Sequence, residues 1–237
     1  MSAPGVVLEL AVQDVAGAMI ARRRGVDRME LCGALALGGI TPSVGLLETA
    51  VATGVSVHVL IRPRAGGFEY GPDERRVMLA DVRSAVAAGA AGVVVGATRE
   101  GLIDERFVRH VVAESPETSF HRAFDALADH DRALDTLAAL GMRRLLTSGG
   151  GDRAVDRAET IARTVDRAAG RIEVMAGAGI TAGNVHVLTA TGVAAVHASA
   201  SRHVTDPVEG RLGSATDDGY ATTDDGAVQA LLAALGR

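Results

Sequence analysis

The chain has no tryptophan, two tyrosines, four phenylalanines and one cysteine, and every one of its 24 basic side chains is arginine. Without lysine, several chemistries are excluded. There is no amine for a Schiff-base aldolase, a lysine general base, a pyridoxal-phosphate enzyme or a P-loop nucleotidase. A single thiol, Cys32, excludes an internal disulfide framework and fits a reducing compartment. A net charge of −5, with no basic cluster interleaved with aromatics, argues against a nucleic-acid partner. Long apolar runs are also missing. The opening stretch Gly5–Val12 is broken by Gln13 and Asp14, and Ala87–Ala97 is too short to cross a bilayer. The expectation is a cytoplasmic protein with no membrane partner.

What the chain does have is rhythm. Eight short apolar runs begin near Val6, Arg28, Val55, Gly92, Thr118, Arg143, Ile172 and Val193, about 20 to 37 residues apart, close to the length of a βαβ unit. Most gaps hold an amphipathic, helix-length segment. Eight such units in 237 residues predict an α/β fold, a single-domain (β/α)8 TIM barrel spanning 1–237 with no linker. Predicted strands include Arg28–Cys32, Val55–Ile61 and Thr118–Arg122, and predicted helices include 126–140 and 152–169. A helix between the last two strands starts at Thr181 or Asn184. The polar segment from Ser201 to about Gly226 is too long for a connector, and reads as a lid or a subunit contact.

Barrels of this kind place their chemistry at the C-terminal strand ends, so strand parity selects the candidates. Leu8, Leu10 and Val12 facing the helices turn Glu9 inward. Met29 and Leu31 facing outward turn Glu30 and Cys32 inward, and the third strand leaves His58 and Arg62 inside. Two carboxylates on neighbouring strands, roughly 5 Å apart, leave one protonated unless a cation intervenes. Arg62 is the natural counter-charge. A buried ionic network that merely sets register is the competing explanation.

The segment Phe120-His121-Arg122-Ala123-Phe124-Asp125 is the most concentrated in polar groups. In a regular strand His121 and Arg122 point to opposite faces, and His121 reads equally as a structural histidine. Three late turns are rich in glycine and hydroxyls, around Ser148-Gly149-Gly150, Gly177-Ala178-Gly179 and Ser199. Backbone N–H groups there suit an anion, although tight turns alone explain single glycines. No CxxC, HExxH or calcium loop is present. By spacing, Cys32 fits a small buried side chain better than a soft ligand for Cu(I).

These blocks converge on one pattern. Leu8-Glu9-Leu10, Asp27-Arg28-Met29-Glu30-Leu31-Cys32, Gly38-Gly39-Ile40-Thr41-Pro42-Ser43, Ile61-Arg62-Pro63-Arg64, the His121–Asp125 segment, Leu146-Thr147-Ser148-Gly149-Gly150, Ala176-Gly177-Ala178-Gly179-Ile180 and Val196-His197-Ala198-Ser199 together resemble the copper homeostasis protein CutC family, from about residue 6 to 201. The resemblance implies a cytoplasmic TIM barrel that forms homo-oligomers (dimer or tetramer), with copper as its ligand. It carries one proposed Cu(I)-ligating cysteine onto Cys32. The partner cysteine of some relatives is absent here.

Three functions follow as expectations. One is Cu(I) binding at Cys32. Another is an enzyme acting on a small anionic, phosphorylated or carboxylated molecule. In it Glu9 and Glu30 do acid–base work, Arg62 and Arg122 clamp charge with Asp125 beside them, and His121 or His197 relays protons. The turns at Ser148, Gly149, Gly150, Gly177, Gly179 and Ser199 would hold the anion. The third is a barrel kept as an assembly scaffold.

Overall fold

The computed structural model describes residues 5–206 and 219–237. Eight parallel strands follow one another around a closed barrel: β1 (Val7–Val12), β2 (Arg28–Leu31), β3 (Ser56–Leu60), β4 (Gly92–Val95), β5 (Thr118–Phe120), β6 (Arg144–Thr147), β7 (Glu173–Gly177) and β8 (Ala195–Ala198). Closure is made by β8 pairing with β1, where Glu9 lies level with His197. The wrapping helices are α1 (Val15–Arg24), α2 (Val44–Val51), α3 (Pro72–Ala87), α4 (Glu105–Glu114), α5 (His130–Ala139), α6 (Ala158–Ala168), α7 (Val185–Thr189) and α8 (Asp225–Ala234). The fold is the (β/α)8 barrel that the spacing predicts.

Period-2 alternation decides which side chains meet the helices. Leu8, Leu10, Met29, Leu31, Val57, Val59, Val93, Leu145 and Val196 are buried in one core with helical Ala21, Met78, Val82, Val108, Leu137 and Ile161. Each large side chain so buried contributes about 1.5–3 kcal/mol. The opposite strand faces fill the barrel. Two small apolar clusters lie there, Cys32 with Leu60 and Val94, and Leu146 with Met175 and Ala195. The same interior also buries Glu9, Arg28, Glu30, His58 and Arg144, which an ordinary barrel core of branched aliphatics does not.

Short polar residues start the helices where their side chains accept orphan N–H groups. Asp14 accepts from Gly17 at 2.6 Å, Asp104 from Phe107 at 3.1 Å, and Asp129 from Arg132 at 2.9 Å. Gly25, at φ +67°, closes α1 in the left-handed conformation expected of it.

Three expectations change. The fifth strand ends at Phe120, two residues early, because the His121 ring accepts the Ala123 N–H at 3.0 Å and bends the chain into a 3-10 turn over Arg122–Ala126. That turn precedes α5, so the helix expected from residue 126 starts at His130. The helix expected from Asp152 starts at Ala158, after a 3-10 turn at Ala154–Arg157 whose Ala154 N–H is drawn to the Ala178 carbonyl. The helix between the last two strands keeps one of its two expected starts: Asn184 is the N-cap of α7, and its side chain accepts the Thr181 N–H and donates to the Gly179 carbonyl.

The polar segment after β8 is an antiparallel ribbon of Ser201–Thr205 and Gly219–Thr223. Gln13 donates to the Ala221 carbonyl and Thr222 to Asp14, fixing the ribbon's root beside α1. Residues 207–218, the middle of the segment to which the lid or subunit-contact expectation applies, lie outside the described residues.

Candidate functional site at the barrel mouth

A cavity of about 360 Å³ opens at the C-terminal strand ends. Its polar lining includes Glu30, Arg62, His121, Arg122, His197 and Ser199, and its apolar lining includes Leu35, Leu60, Phe68, Leu146 and Ile180. Residues from seven of the eight strands or the loops that follow them therefore converge there.

At the floor, Glu9 is fully buried and both its oxygens are held. Arg28 donates from Nε at 2.5 Å, and His197 approaches the other oxygen with Nδ1 at 2.9 Å. Burial alone would raise the Glu9 carboxyl, but His197 and Arg28 outweigh it and hold it at about 2. Glu30 has the opposite fate. Burial lifts it to about 7, with Glu9 adding to the rise while His197 and Arg28 resist, and its Oε2 has no hydrogen-bond partner. The close carboxylates thus divide into one ionised and one able to keep its proton near neutrality. His197 itself is raised: burial opposes its charge, and Glu30 and Glu9 prevail.

Arg62 is not the counter-charge of these carboxylates. That role belongs to Arg28, two residues before Glu30 and so on the same inward face, which strand parity already implied. Arg62 instead donates to three backbone carbonyls, Leu37 at 3.0 Å, Gly39 at 2.7 Å and Gly66 at 3.0 Å, and stands over the Phe68 ring. It is only 6% exposed and has no carboxylate partner among the described residues. Carbonyl dipoles hold the guanidinium in place without cancelling its charge.

His121 lies beside it, 7% exposed, its ring 4.9 Å from that of Phe68. Burial first, and Arg62 second, lower its basicity to about 3, so the ring is neutral. Because Nδ1 accepts the Ala123 N–H, Nε2 carries the hydrogen, and that donor has no acceptor among the described residues. Room for the ring depends on Gly96. A Cβ there would lie 2.1 Å from the His121 ring.

Arg122 is at the rim, its side chain 44% exposed, with Nε donating to Asp125 at 3.0 Å and Nη2 to Ser148 Oγ at 3.0 Å. His121 and Arg122 both line the cavity because the chain leaves strand geometry between them. Asp125 is a hub rather than a lining residue. It accepts from the Ser148 N–H at 3.0 Å, from Ser148 Oγ at 2.8 Å and from Thr147 Oγ1 at 2.5 Å. The donors expected to hold an anion at Ser148 therefore already serve this internal carboxylate, while the Gly149 N–H goes to Thr147. Ser148, Gly149, Gly150 and Gly177 do not line the cavity, whereas Gly179 and Ser199 do. Ala178, also in the lining, sits at φ +97°, a strained conformation for a residue with a Cβ.

Cys32 lies behind the lining, fully buried against Leu60 and Val94. Burial and the Glu30 charge push its thiol up, away from the thiolate that binds metal. The groups that do sit close are Glu9, Glu30 and His197, whose ligand atoms lie within 4.8 Å of one another. Apolar lining, Arg28 and Gly96 were not singled out by sequence reasoning. Arg28 was legible from its parity with Glu30, while Gly96 had no local signal.

The chain is a (β/α)8 barrel with a concave, polar and apolar mouth at the strand ends, the face on which barrels of this class carry their ligand sites. The model of the CutC family matches residues 6–202, and the chain belongs to that family. A CutC family protein of Agrobacterium fabrum is 42% identical over 233 residues, covering 95% of this chain and 92% of its own. The human copper homeostasis protein cutC homolog is 42% identical over 204 residues, covering 84% of this chain and 75% of its own. A solved CutC structure from Streptococcus agalactiae, described as a copper homeostasis protein, superposes with a TM-score of 0.77 at 32% identity. It covers 82% of this chain and 98% of that one.

Proposed function

We propose that this CutC-family barrel binds a small anionic molecule at its mouth and acts on it by proton transfer. One observation carries the reading: Arg62 is a buried cation lining the cavity, held by carbonyls and unmatched by any carboxylate among the described residues. Buried charges are ordinarily paired, and the missing partner is supplied by the ligand's negative charge. Around that ligand, Glu30 is the group that exchanges a proton near neutral pH. The Glu9–His197 pair is the second proton carrier, and Arg122 is a rim charge that steers anions in. Cytoplasmic location and self-association, implied by the family resemblance, belong to the same proposal.

Isothermal titration with inorganic phosphate and with pyruvate tests it. The expectation is millimolar or tighter binding of at least one anion, weakened about 10- to 100-fold in Arg62→Met, as the loss of a charge-assisted contact implies. Equal titration of both proteins, or no binding of either anion, would contradict it.

A second reading takes copper, named in the relatives, as the ligand. Its support is the Glu9, Glu30 and His197 cluster. Those oxygen and nitrogen donors suit a divalent ion. Cu(I), which favours thiolate and thioether, finds only the protonated Cys32, and the Met175 sulfur already accepts from Arg28 at 3.4 Å. The residues present therefore do not fit Cu(I), and no step is assigned to it. Copper(II) titration of wild type and Glu30→Ala separates the readings: tight wild-type binding lost in the variant favours the metal.

A further inference from the structure

From the same mouth, and resting on the anion reading above, we infer that the ligand is a small carboxylate with a short hydrocarbon or 2-oxo body, rather than a phosphate ester, and that His121 donates to one of its oxygens. The donor is unusual in how completely it is prepared. Its ring is pinned on one nitrogen by the Ala123 N–H, set against the tilted Phe68 ring at 4.9 Å, and given space by the absent side chain of Gly96. The remaining N–H is buried, lies on a lining residue and has no protein acceptor. A buried donor left unmade costs about 1–3 kcal/mol, which a ligand oxygen recovers.

The choice of carboxylate over phosphate comes from counting donors. A phosphate offers three strongly accepting oxygens and close to two charges, and needs several N–H groups around it. Here three hydrogens of the Arg62 guanidinium are already spent on the carbonyls of Leu37, Gly39 and Gly66. The glycine-rich turn at Ser148 and Gly149 is filled from within by Asp125 and Thr147. Of the other lining cations, Arg122 is matched by Asp125 and His197 by Glu9, which leaves one unmatched cation and one neutral N–H, and these suit a single planar carboxylate. Leu35, Leu60, Phe68, Leu146 and Ile180 enclose an apolar body rather than a hydrated phosphate ester.

The test compares pyruvate, butyrate and inorganic phosphate as probes against wild type, His121→Gln, which keeps a donor, and His121→Phe, which keeps the ring but not the N–H. The expected result is tighter binding of the two carboxylates than of phosphate. Carboxylate affinity should fall about tenfold in His121→Phe and be partly restored in His121→Gln, the size of one lost hydrogen bond. In wild type labelled with 15N-histidine, the His121 Nε2 resonance should move on adding pyruvate, which reports the contact without any variant having to fold. Phosphate binding as tightly as the carboxylates, or an unmoved Nε2 resonance at saturating pyruvate, overturns the inference while leaving the anion reading standing. If no probe binds, both fail.

Discussion

The two ends of the barrel interior handle buried charge differently. Toward the N-terminal strand ends, cations face carboxylates: Arg144 reaches Glu117 at 2.6 Å and Glu173 at 3.0 Å, and Arg28 holds Glu9 at 2.5 Å. At the mouth, Arg62 has carbonyls only. Both ends keep unpartnered polar atoms, on Glu30 and His121 at the mouth and on His58, Thr118, Ser119 and Arg144 at the other, so the difference is one of charge. One end reads as a plug whose charges cancel internally. The other holds a cation that no carboxylate among the described residues cancels, and an anionic ligand cancels it.

On that contrast the plug governs stability and the mouth governs binding, with the Glu9–His197 pair at the floor, where the two meet, serving both. Glu9→Ala strands Arg28 and His197 and should cost about 3–5 kcal/mol, the penalty for breaking a buried pair from one side. Urea denaturation measures it, and a loss below about 1 kcal/mol would show the pair to be solvated.

Gly96→Ala should come next. It forces the His121 ring aside and should cost about 1–3 kcal/mol by overpacking, with carboxylate affinity falling in parallel. Thermal unfolding and titration together check both halves.

Glu30→Gln tests the mouth through pH. Because the folded carboxyl is raised to about 7 above its ordinary value, the native state binds this proton more tightly than the unfolded chain. Its contribution to stability therefore falls as pH rises from about 4.5 to about 7. The Gln variant should lose that slope and be the more stable protein at pH 8. Identical pH profiles of the two proteins would place Glu30 in water.

The smallest effect belongs to Ser148→Ala. Its N–H and hydroxyl already serve Asp125, so anion affinity should change less than about twofold, within the range of a contact the ligand never makes. A tenfold loss would restore that turn as the anion's seat.

Much of this was readable before any coordinates. The eight-unit rhythm gives the barrel, and alternation places Glu9, Glu30, Cys32, His58 and Arg62 inside it, because a strand's two faces differ in a way each residue records. The pairing of charges was not readable. Glu9 chooses Arg28 rather than Arg62 through lateral register between strands, set by barrel closure rather than by neighbours in sequence. His121 ending its strand depends on a side chain capturing a backbone N–H, which leaves no periodic trace. The filling of the Ser148 turn by Asp125 likewise joins residues 23 apart. Glycine-rich turns advertise donors without saying whether the protein has already used them.

The most direct measurement is a crystal structure of the protein soaked with pyruvate. An anion ordered at the mouth beside Arg62, with an oxygen within hydrogen-bond distance of His121 Nε2, is the predicted result. An empty mouth at saturating ligand, or an anion seated at Ser148–Gly150 with Asp125 displaced, would contradict it.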